Sequence, residues 1–425
     1  MNKTTEPIPF ARPYIGREEE EAALRVLRSG WLTTGTEALR FEQEFADFFT
    51  VQDRHNAETG DNPITALAVN SATSGLHLAL EACGIGPGDI VVTSTYTFTS
   101  TAEVVRYLGA DVVFVDVGPG SYLMDTHALE QTLERLSRGL PAYPSRPGMG
   151  DPPEGFGPRG TVKAILPVHV AGLACNMDTI IQIARPYGAM VIEDAAHAFP
   201  SRLTDGRWVG LLGDMGVFSF YATKTITTGE GGMILTKNKD LAQRISIMRS
   251  HGIDRSIWNR YTDTKASWKY AVVAPGYKYN MPDILAAIGR EQLKRAYTLL
   301  DMRKKIAGHY NEAFKTIPEL LLPPTGAENA WHLYPIRLAD PEGIEKRDAF
   351  IEALQGIGIG VSVHFIPLHT MPYYSSLYHL KDDDFPNALD TFARTVSLPI
   401  WPGMTEEQVQ RVIDSVIDSV KSNQG

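Results

Sequence analysis

Gly-Val-Phe-Ser-Phe-Tyr-Ala-Thr-Lys-Thr-Ile-Thr-Thr-Gly-Glu-Gly-Gly, residues 216–232, carries the strongest chemical signal in this chain. An apolar strand pattern leads there to one lysine, Lys224, surrounded by small polar residues and glycines. Earlier in the chain, Val-Ile-Glu-Asp-Ala-Ala-His (191–197) contains a second apolar strand pattern, which ends at the carboxylate of Asp194. An amine can form a Schiff base with an aldehyde, and a carboxylate can keep a pyridine nitrogen protonated. Together the two stretches predict a pyridoxal phosphate pocket.

Length, composition and charge limit the class of protein. The chain has 425 residues, which is long for one hydrophobic core and predicts two domains. Its 43% hydrophobic and 21% charged residues are typical of globular proteins and argue against wholesale disorder. The formal net charge of −10 disfavours nucleic acid as a partner. The two cysteines, Cys83 and Cys175, show neither metal-type spacing nor a disulfide framework, so we expect buried thiols and no metal.

The N-terminal residues Met-Asn-Lys-Thr-Thr-Glu-Pro lack the apolar segment of a signal peptide. The sequence also lacks a run of about 18 apolar residues, the length that a membrane helix needs. We therefore expect a soluble cytoplasmic protein without a membrane partner.

Alternating strand and helix patterns predict an α/β fold with a mostly parallel sheet, because the strand runs are almost continuously apolar. We expect a large domain over residues 1–255 and a smaller α+β domain over residues 256–425, linked by a long helix near residues 282–314. The polar segments 53–63 and 138–160 are predicted to be surface loops. The predicted strands of the large domain are Thr65–Val69, Ile90–Ser94, Val112–Val117, Val162–Val168, Ala189–Glu193, Gly216–Phe220 and Gly232–Thr236.

In the smaller domain the sequence predicts strands and helices in alternation. The predicted strands are Trp331–Leu338 and Gly360–His364, and the predicted helices are Lys346–Gln355 and Glu406–Val420.

Chemically interesting residues follow five of the predicted strands, at the sheet edge where ligands bind in doubly wound folds. Asn-Ser-Ala-Thr-Ser-Gly (70–75) begins a helix, and its free amides and hydroxyls suit a phosphate, although simple N-capping explains them equally well. Phe98 suits stacking on a flat ring or ordinary packing. His169 and His197 each suit either a place beside a cofactor or a buried structural role.

Lys224 has the more specific surroundings. A lysine in a loop is usually a solvated charge, but this one is flanked by four threonines and three glycines within residues 223–232. Such residues allow a tight, partly desolvated slot that favours the neutral amine, which a Schiff base requires.

Over nearly the whole chain these motifs resemble the sugar aminotransferases of the DegT/DnrJ/EryC1/StrS family. The likeness begins at Ser-Gly-Trp-Leu-Thr-Thr-Gly (29–35) and continues through the five strand ends. It includes Met-Arg-Ser-His-Gly (248–252), Gly-Tyr-Lys-Tyr-Asn-Met-Pro-Asp-Ile (276–284), Trp-His-Leu-Tyr-Pro (331–335) and Val-His-Phe-Ile-Pro-Leu-His (363–369). The resemblance implies the fold of type I pyridoxal phosphate enzymes, with pyridoxamine phosphate as the intermediate form of the cofactor.

The resemblance also implies roles for individual residues. Lys224 is implied as the Schiff-base and proton-shuttling residue, and Asp194 as the partner of the pyridine nitrogen. Thr73, Ser74 and Ser219 are implied to hold the phosphate, Phe98 to stack on the ring, and His197 to lie beside the ring hydroxyl. Asn280 or Lys278 is implied to reach the phosphate in a neighbouring subunit of a homodimer with shared active sites. Thr34, His251 and His364 are implied to line the substrate site.

The implied reaction moves an amino group from glutamate, which becomes 2-oxoglutarate, to a nucleotide-linked keto-sugar, with a UDP-4-keto-sugar as the first candidate. The variants Ser-Ala-Thr, Glu-Asp-Ala-Ala-His-Ala and Gly-Tyr-Lys-Tyr-Asn resemble most the subgroup that makes 4-amino-4-deoxy-arabinose on UDP. Relative to that subgroup, segments 53–63 and 138–160 are interpreted as insertions. Candidate cations and histidines for the anionic substrate are Arg249, Arg260, Lys278, His364 and His369.

Three alternatives compete with this interpretation, and the residues present argue against each of them. A pyridoxamine-dependent sugar dehydratase of the same family is expected to have histidine in place of Lys224. A regulatory protein on this fold is expected to have lost Lys224 or Asp194. A nicotinamide oxidoreductase is expected to have Gly-x-Gly-x-x-Gly after a strand, which residues 70–75 lack.

Overall fold

The computed structural model of the protein describes residues 6–50, 63–146, 150–254, 270–325, 328–339 and 343–422. Within these ranges, ten strands form two sheets. The strands of the large sheet are β1 (Thr65–Val69), β2 (Asp89–Ser94), β3 (Asp111–Val115), β4 (Thr161–Leu166), β5 (Met190–Asp194), β6 (Met215–Ser219) and β7 (Gly232–Thr236). Those of the small sheet are β8 (Leu320–Leu321), β9 (Tyr334–Leu338) and β10 (Thr395–Leu398).

The large sheet has the strand order β1–β7–β6–β5–β4–β2–β3. The pairs β2–β3, β2–β4, β4–β5 and β5–β6 are parallel, whereas β7 runs antiparallel to both neighbours, β1 and β6. The small sheet, in the order β10–β9–β8, is antiparallel. The predicted α/β class with a mostly parallel sheet is therefore confirmed.

Helices surround the sheets and form most of the remaining described chain. The α-helices are Arg17–Ser29, Thr36–Thr50, Ala72–Ala82, Ser100–Tyr107, Thr126–Ser137, Met177–Ala184, Lys239–Met248, Asp283–Lys294, Ala296–Phe314, Ile344–Gly356, Pro372–Tyr378, Pro386–Arg394 and Glu406–Ser422.

Both faces of the large sheet are buried, because alternate residues of its strands enter different cores. Val217 and Ile234 join the core on one face, whereas Phe218 and Met233 join the core on the other. The second core is rich in aromatic rings, and Phe45 of the helix Thr36–Thr50 lies at its centre with no exposed surface. Two-sided burial explains why the strand sequences are continuously apolar instead of alternating.

The predicted surface loop 138–160 protects one edge of the large sheet. The hydroxyl of Tyr143 accepts a hydrogen bond of 2.9 Å from the backbone nitrogen of Phe114 in the edge strand β3. Arg146 lies over the ring of Phe156 and binds the carboxylate of Asp384 through two nitrogens, at 2.7 and 2.8 Å. An edge strand with unpaired backbone groups is a site of aggregation, so this loop has a structural use. The other predicted loop, 53–63, lies almost wholly outside the described residues.

The predicted long helix near residues 282–314 is two helices, which meet at Arg295. Arg295 has φ −103° and ψ 8°, outside the helical region. Asp283–Lys294 packs against the helices Arg17–Ser29 and Thr36–Thr50, whereas Ala296–Phe314 packs against Glu406–Ser422. The two helices thus pack mainly against different helices, although Leu293 of the first and Leu299 of the second share one core, and local sequence does not encode these partners.

The predicted strand Gly360–His364 is extended but irregular. Ser362 exchanges two backbone hydrogen bonds with Ser397 of β10, whereas Gly360 bonds to Ile8 on another side. Pairing with two different neighbours prevents a regular ladder. The sequence analysis did not predict the strand β10, which makes this contact with Ser362.

The N-terminal segment reaches the core of the C-terminal half. Ile8 is 1% exposed and packs in the cluster formed by the small sheet and its helices. Its nitrogen donates to the carbonyl of Gly358, and its carbonyl accepts from the nitrogen of Gly360. The proposed division into domains 1–255 and 256–425 stays a prediction, and its boundary lies within residues 255–269, outside the described ranges.

None of the described helices has both the length and the apolar content needed to cross a bilayer. The cytoplasmic location stays a prediction.

Candidate active site

The carboxyl ends of the parallel strands bring the predicted site residues to one edge of the large sheet. Asp194 is the last residue of β5, and Ser219 is the last residue of β6. Thr73 follows β1 at the start of a helix, and Phe98 follows β2. Because β7 is antiparallel to these strands, its first residue, Gly232, lies at the same edge.

A cavity of about 570 Å³ opens at this edge. Seven of the predicted residues line it: Thr73, Phe98, Asp194, His197, Ser219, Lys224 and His364. The lining also contains Glu230, Phe365 and His332, which the sequence analysis did not single out as site residues.

One end of the cavity suits a phosphate. The helix Ala72–Ala82 begins there, and the first amides of a helix have no partners within it. The hydroxyls of Thr73 and Ser219 lie in the lining beside this helix start. A Cβ at Gly232 would lie 2.8 Å from the backbone nitrogen of Ala72, so glycine keeps the chain close to the helix start.

Ser74, the third residue predicted to hold the phosphate, lies outside the lining and is buried. Its hydroxyl donates to Oδ1 of Asn70 at 2.6 Å, and its backbone nitrogen donates to the hydroxyl of Ser71 at 3.1 Å. These contacts are those of a helix N-cap, the alternative that the sequence left open.

Asp194 is a buried carboxylate at another part of the cavity wall. It accepts hydrogen bonds from the hydroxyl of Thr101 at 2.8 Å and from the backbone nitrogen of Ala196 at 3.2 Å. Burial raises the pKa of the Asp194 carboxyl, and these two donors together with the charge of Lys224 oppose the shift. Among the described residues Asp194 makes no ion pair within 4 Å, so a cation bound in the cavity would favour its ionised form.

Lys224 lies in the lining with its amine 3.3 Å from Nε2 of His332. The pKa of Lys224 is lowered to about 7, mainly by burial; the charge of Asp194 opposes this shift, and that of Arg303 supports it. About half of the amine is therefore neutral and nucleophilic at neutral pH.

Three imidazole rings surround this amine. The ring centroids of His197 and His332 are 4.2 Å apart, and His197 stacks on Phe365 at 5.6 Å. Burial lowers the pKa of both histidines well below the usual range, and the charge of Lys224 acts in the same direction. Burial likewise lowers the pKa of His364 to about 4. At neutral pH the rings are therefore uncharged and polar.

Phe98 is 59% exposed although it lines the cavity, and its ring lies 6.3 Å from that of Phe365. A large aromatic ring held open to solvent at a cavity wall is available to a planar ligand. His169, by contrast, is wholly buried outside the lining. Its Nε2 lies 3.0 Å from Glu193, and its Nδ1 accepts from the nitrogen of Cys175. His169 thus has the structural role that the sequence allowed.

The remaining predicted substrate and phosphate residues lie outside the lining in this single chain. Thr34 and Asn280 bond to each other, with 2.5 Å between the amide nitrogen and the hydroxyl oxygen. Lys278 is exposed on the segment that pairs with Ser250, and His251 is exposed with φ 64°.

The other candidate cations are also outside the cavity wall or outside the described residues. Arg249 pairs with Glu42 and donates to the carbonyl of Ala68. His369 is buried between the hydroxyl of Thr95 at 2.8 Å and the carbonyl of Asp382 at 3.2 Å. Arg260 lies outside the described residues.

His332 is the cavity residue whose importance the sequence analysis missed. It precedes β9 of the small sheet, so no strand of the large sheet points to it. The available signal was its place in Trp-His-Leu-Tyr-Pro (331–335), one of the motifs that carry the family resemblance, to which no role was assigned.

The residues present fit pyridoxal phosphate. The helix start with Thr73 and Ser219 suits its phosphate, and the exposed ring of Phe98 suits its plane. Asp194 lacks a cationic partner among the described residues, which a protonated pyridine nitrogen would provide, and Lys224 provides the amine for its aldehyde. Among the described residues no group of His, Cys, Asp and Glu is arranged to hold a metal ion.

Comparisons with known proteins agree with this fit. The model of the DegT/DnrJ/EryC1/StrS aminotransferase family matches residues 13–417. The chain is 41% identical, over 99% of both chains, to the spore coat polysaccharide biosynthesis protein SpsC of Bacillus subtilis.

Two solved structures share the fold over almost the whole chain. Spr1654 from Streptococcus pneumoniae, a candidate sugar aminotransferase in its PLP form, has a TM-score of 0.82 at 27% identity, with 98% of this chain and 99% of that one covered. PseC from Helicobacter pylori, an aminotransferase involved in the biosynthesis of pseudoaminic acid, has a TM-score of 0.82 at 26% identity, with 98% and 100% covered. The chain therefore belongs to the DegT/DnrJ/EryC1/StrS aminotransferase family and is a pyridoxal phosphate-dependent aminotransferase.

Proposed function

We propose that this enzyme is a sugar aminotransferase that transfers an amino group from glutamate to a nucleotide-linked keto-sugar, with a UDP-4-keto-sugar as the first candidate. The observation that carries the proposal is the Lys224 amine, which shares one cavity with Asp194 and has a pKa near 7. The names of SpsC and PseC support an acceptor in amino-sugar and polysaccharide biosynthesis.

When bound, pyridoxal phosphate supplies an electron-withdrawing ring to the carbon that exchanges the amino group. Asp194 holds the proton on the ring nitrogen, because a buried carboxylate is most stable beside a positive charge. Thr73, Ser219 and the start of the helix Ala72–Ala82 bind the phosphate. Phe98 and His197, which line the same cavity, would hold the ring.

Lys224 moves the protons of both half-reactions. Its neutral amine takes the α-proton of glutamate, and the same group later gives a proton to the former carbonyl carbon of the sugar. His332 holds the amine in place, since its neutral imidazole offers a lone pair at 3.3 Å. The low pKa of Lys224 matters here, because an ammonium ion could not act as a base.

The charge of the cavity supports a homodimer with shared sites. Among the described lining residues, Lys224 is the only lysine or arginine, whereas a nucleoside diphosphate carries several negative charges. The missing cations must come from elsewhere, and the segment with Lys278 and Asn280 runs beside the end of β1, where Asn70 donates to the carbonyl of Tyr279. We infer that this segment serves the cavity of the partner subunit, and that His364 serves substrate within its own chain. Thr34 supports the segment through Asn280, and the exposed His251 lies next to it.

Two stages test the proposal. Borohydride reduction of the holoenzyme, followed by peptide mass spectrometry, is expected to find the reduced cofactor adduct on Lys224. In the second stage, a separate, unreduced sample of the holoenzyme is mixed with glutamate. Glutamate is expected to bleach the visible absorbance and to release one equivalent of 2-oxoglutarate per site. A UDP-4-keto-sugar is expected to restore the absorbance, and the same sugar without the nucleotide is not.

The variant Lys224→Ala is expected to form no reduced adduct at this position and to show no absorbance change with glutamate. Lys239→Ala is the control, because Lys239 is exposed at the start of a remote helix. An adduct on another lysine would overturn the assignment of Lys224. Restoration of the absorbance by the free sugar alone would overturn the nucleotide-linked substrate but leave the aminotransferase intact.

A further inference from the structure

Arg303 is a buried cation without a carboxylate partner among the described residues. It belongs to the helix Ala296–Phe314, and its side chain is 1% exposed. Burying an unpaired charge is costly, and a well-packed apolar residue of similar size is often the more stable choice. The presence of arginine here is therefore not explained by packing.

The guanidinium of Arg303 binds only backbone carbonyls. One terminal nitrogen donates to the carbonyls of Trp331 at 3.1 Å, His332 at 3.2 Å and Ile400 at 2.8 Å. The other donates to the carbonyl of Thr223 at 3.3 Å. Its Nε has no acceptor within reach among the described residues. One planar group thus joins the long helix to three separate chain segments.

Two of these segments carry the reacting pair. Thr223 immediately precedes Lys224, and the His332 carbonyl belongs to the residue whose ring contacts the Lys224 amine. The relative position of amine and imidazole therefore depends on a group that itself lies outside the cavity lining. Arginine suits this task because its fork of donors is rigid.

The charge of Arg303 acts on the same amine. Burial lowers the pKa of Arg303 to about 9, so the guanidinium is still protonated at neutral pH. A fixed positive charge in a poorly solvated region disfavours a second one nearby, and it contributes to the lowered pKa of Lys224 after burial itself. The opposing group is Asp194, and the imidazoles of His197, His332 and His364 complete the surroundings of the amine.

We propose that Arg303 is a positioning residue for Lys224: through the carbonyls of Thr223 and His332 it fixes the amine against the imidazole, and through its charge it favours the neutral form of that amine. This inference rests on the proposed role of Lys224 as the Schiff-base residue. The helix Ala296–Phe314, which carries Arg303, thereby takes part in preparing the Lys224 amine for reaction.

The test measures how fast the apoenzyme captures the aldehyde of pyridoxal phosphate as a function of pH. The native rate is expected to rise with a midpoint near the Lys224 pKa of about 7. Arg303→Gln and Arg303→Met remove the charge, so the midpoint should move up by about one pH unit. Capture at pH 7 should then be about five-fold slower. Arg303→Lys retains the charge without the fork, so it should keep the midpoint and lower the plateau rate.

Arg347→Gln is the matched control. Arg347 is also buried, at 3% exposure, and it binds Asp348 and the carbonyl of Phe392, neither of which lines the cavity. Its loss should leave the midpoint unchanged even if it lowers stability. A purely structural role of Arg303 would likewise change the melting temperature without moving the midpoint.

The outcomes separate the two proposals. If the native apoenzyme forms no adduct on Lys224, the proposed function fails. If the native adduct forms but the midpoint is the same in Arg303→Gln and Arg303→Met, the positioning role fails while the function stands. Should Arg303→Met not fold, the comparison of Arg303→Gln with Arg303→Lys decides. Failure of all three variants to fold would assign Arg303 to core stability and overturn the inference.

Discussion

The amine of Lys224 and Nε2 of His332 lie 3.3 Å apart, although the two residues are 108 positions apart in the chain. Lys224 comes from the loop after β6 of the large sheet, and His332 comes from the approach to β9 of the small sheet. The Nδ1 atom of His332 has no partner among the described residues. The contact joins the two halves of the molecule at the reacting atom.

Replacing His332 is expected to lower the rate of the reaction strongly and the affinity for the cofactor only slightly. His332→Ala removes the lone pair that orients the amine, so kcat should fall about 100-fold while the affinity for pyridoxal phosphate changes little. Added imidazole is expected to restore part of the rate. His309→Ala, at an exposed position on a helix, is the control. A kcat within two-fold of native in His332→Ala would contradict the proposed contact role.

The lowered pKa of Lys224 predicts a pH-dependent cost to the stability of the apoenzyme. The unfolded chain binds a proton at Lys224 up to about pH 10.5, whereas the folded chain releases it near pH 7. Because the unfolded state binds more protons between these values, the stability contributed at this position rises with pH across that window. Below pH 7 the folded state carries the full destabilisation that results from burying the Lys224 amine.

Lys224→Met is therefore expected to make the apoenzyme more stable at pH 7, by about 1 kcal/mol or more. The difference between variant and native should shrink as the pH approaches 10.5. Urea unfolding at several pH values measures it, and other titrating groups cancel in the comparison. A difference that does not depend on pH would argue against a shifted lysine.

Gly232→Ala is expected to weaken binding of the cofactor phosphate. The added Cβ would lie 2.8 Å from the backbone nitrogen of Ala72 and 2.9 Å from the carbonyl oxygen of Phe218, so the helix start must move. Overpacking of this kind costs about 1–3 kcal/mol, which corresponds to about five-fold or more in affinity. Titration of the apoenzyme with pyridoxal phosphate measures the change. Gly86→Ala is the control, because a Cβ there meets nothing within 4 Å.

Asp194→Asn is expected to separate adduct formation from transamination. Lys224 should still capture the aldehyde, but bleaching by glutamate should slow by about 100-fold, because the amide cannot stabilise a protonated ring nitrogen. Stopped-flow absorbance measures both steps in one sample. Asp301→Asn, at an exposed helical position, serves for comparison. Equal losses in both steps would point to a general structural defect instead.

Sequence patterns predicted the large sheet well because each of its strands is buried on both faces. Thr65–Val69 and Gly232–Thr236 have the predicted bounds, and the other strands differ by at most two residues at either end. The same rule located Lys224 and Asp194, since a parallel sheet brings the residues that follow its strands to one edge. Their chemical roles remain predictions.

The features that the sequence did not reveal depend on contacts between distant segments. His332 lies just before the small sheet and Arg303 lies on the helix Ala296–Phe314, and neither has a local pattern that marks it. The break at Arg295 likewise contains neither glycine nor proline. For Ser74 the sequence allowed two roles, helix capping and phosphate binding. The structure shows its capping contact with Ser71, and its role at the phosphate stays a prediction.

The bonds of Ile8 to Gly358 and Gly360 set an order of events during translation. Ile8 has no docking site until Gly358 and Gly360, about 350 residues further along the chain, have been synthesised. Synthesis proceeds from the amino terminus, and the large sheet can assemble meanwhile. The contact of Ile8 with Gly358 and Gly360 therefore forms late in folding. A tag fused ahead of Ile8 would lie near the C-terminal half.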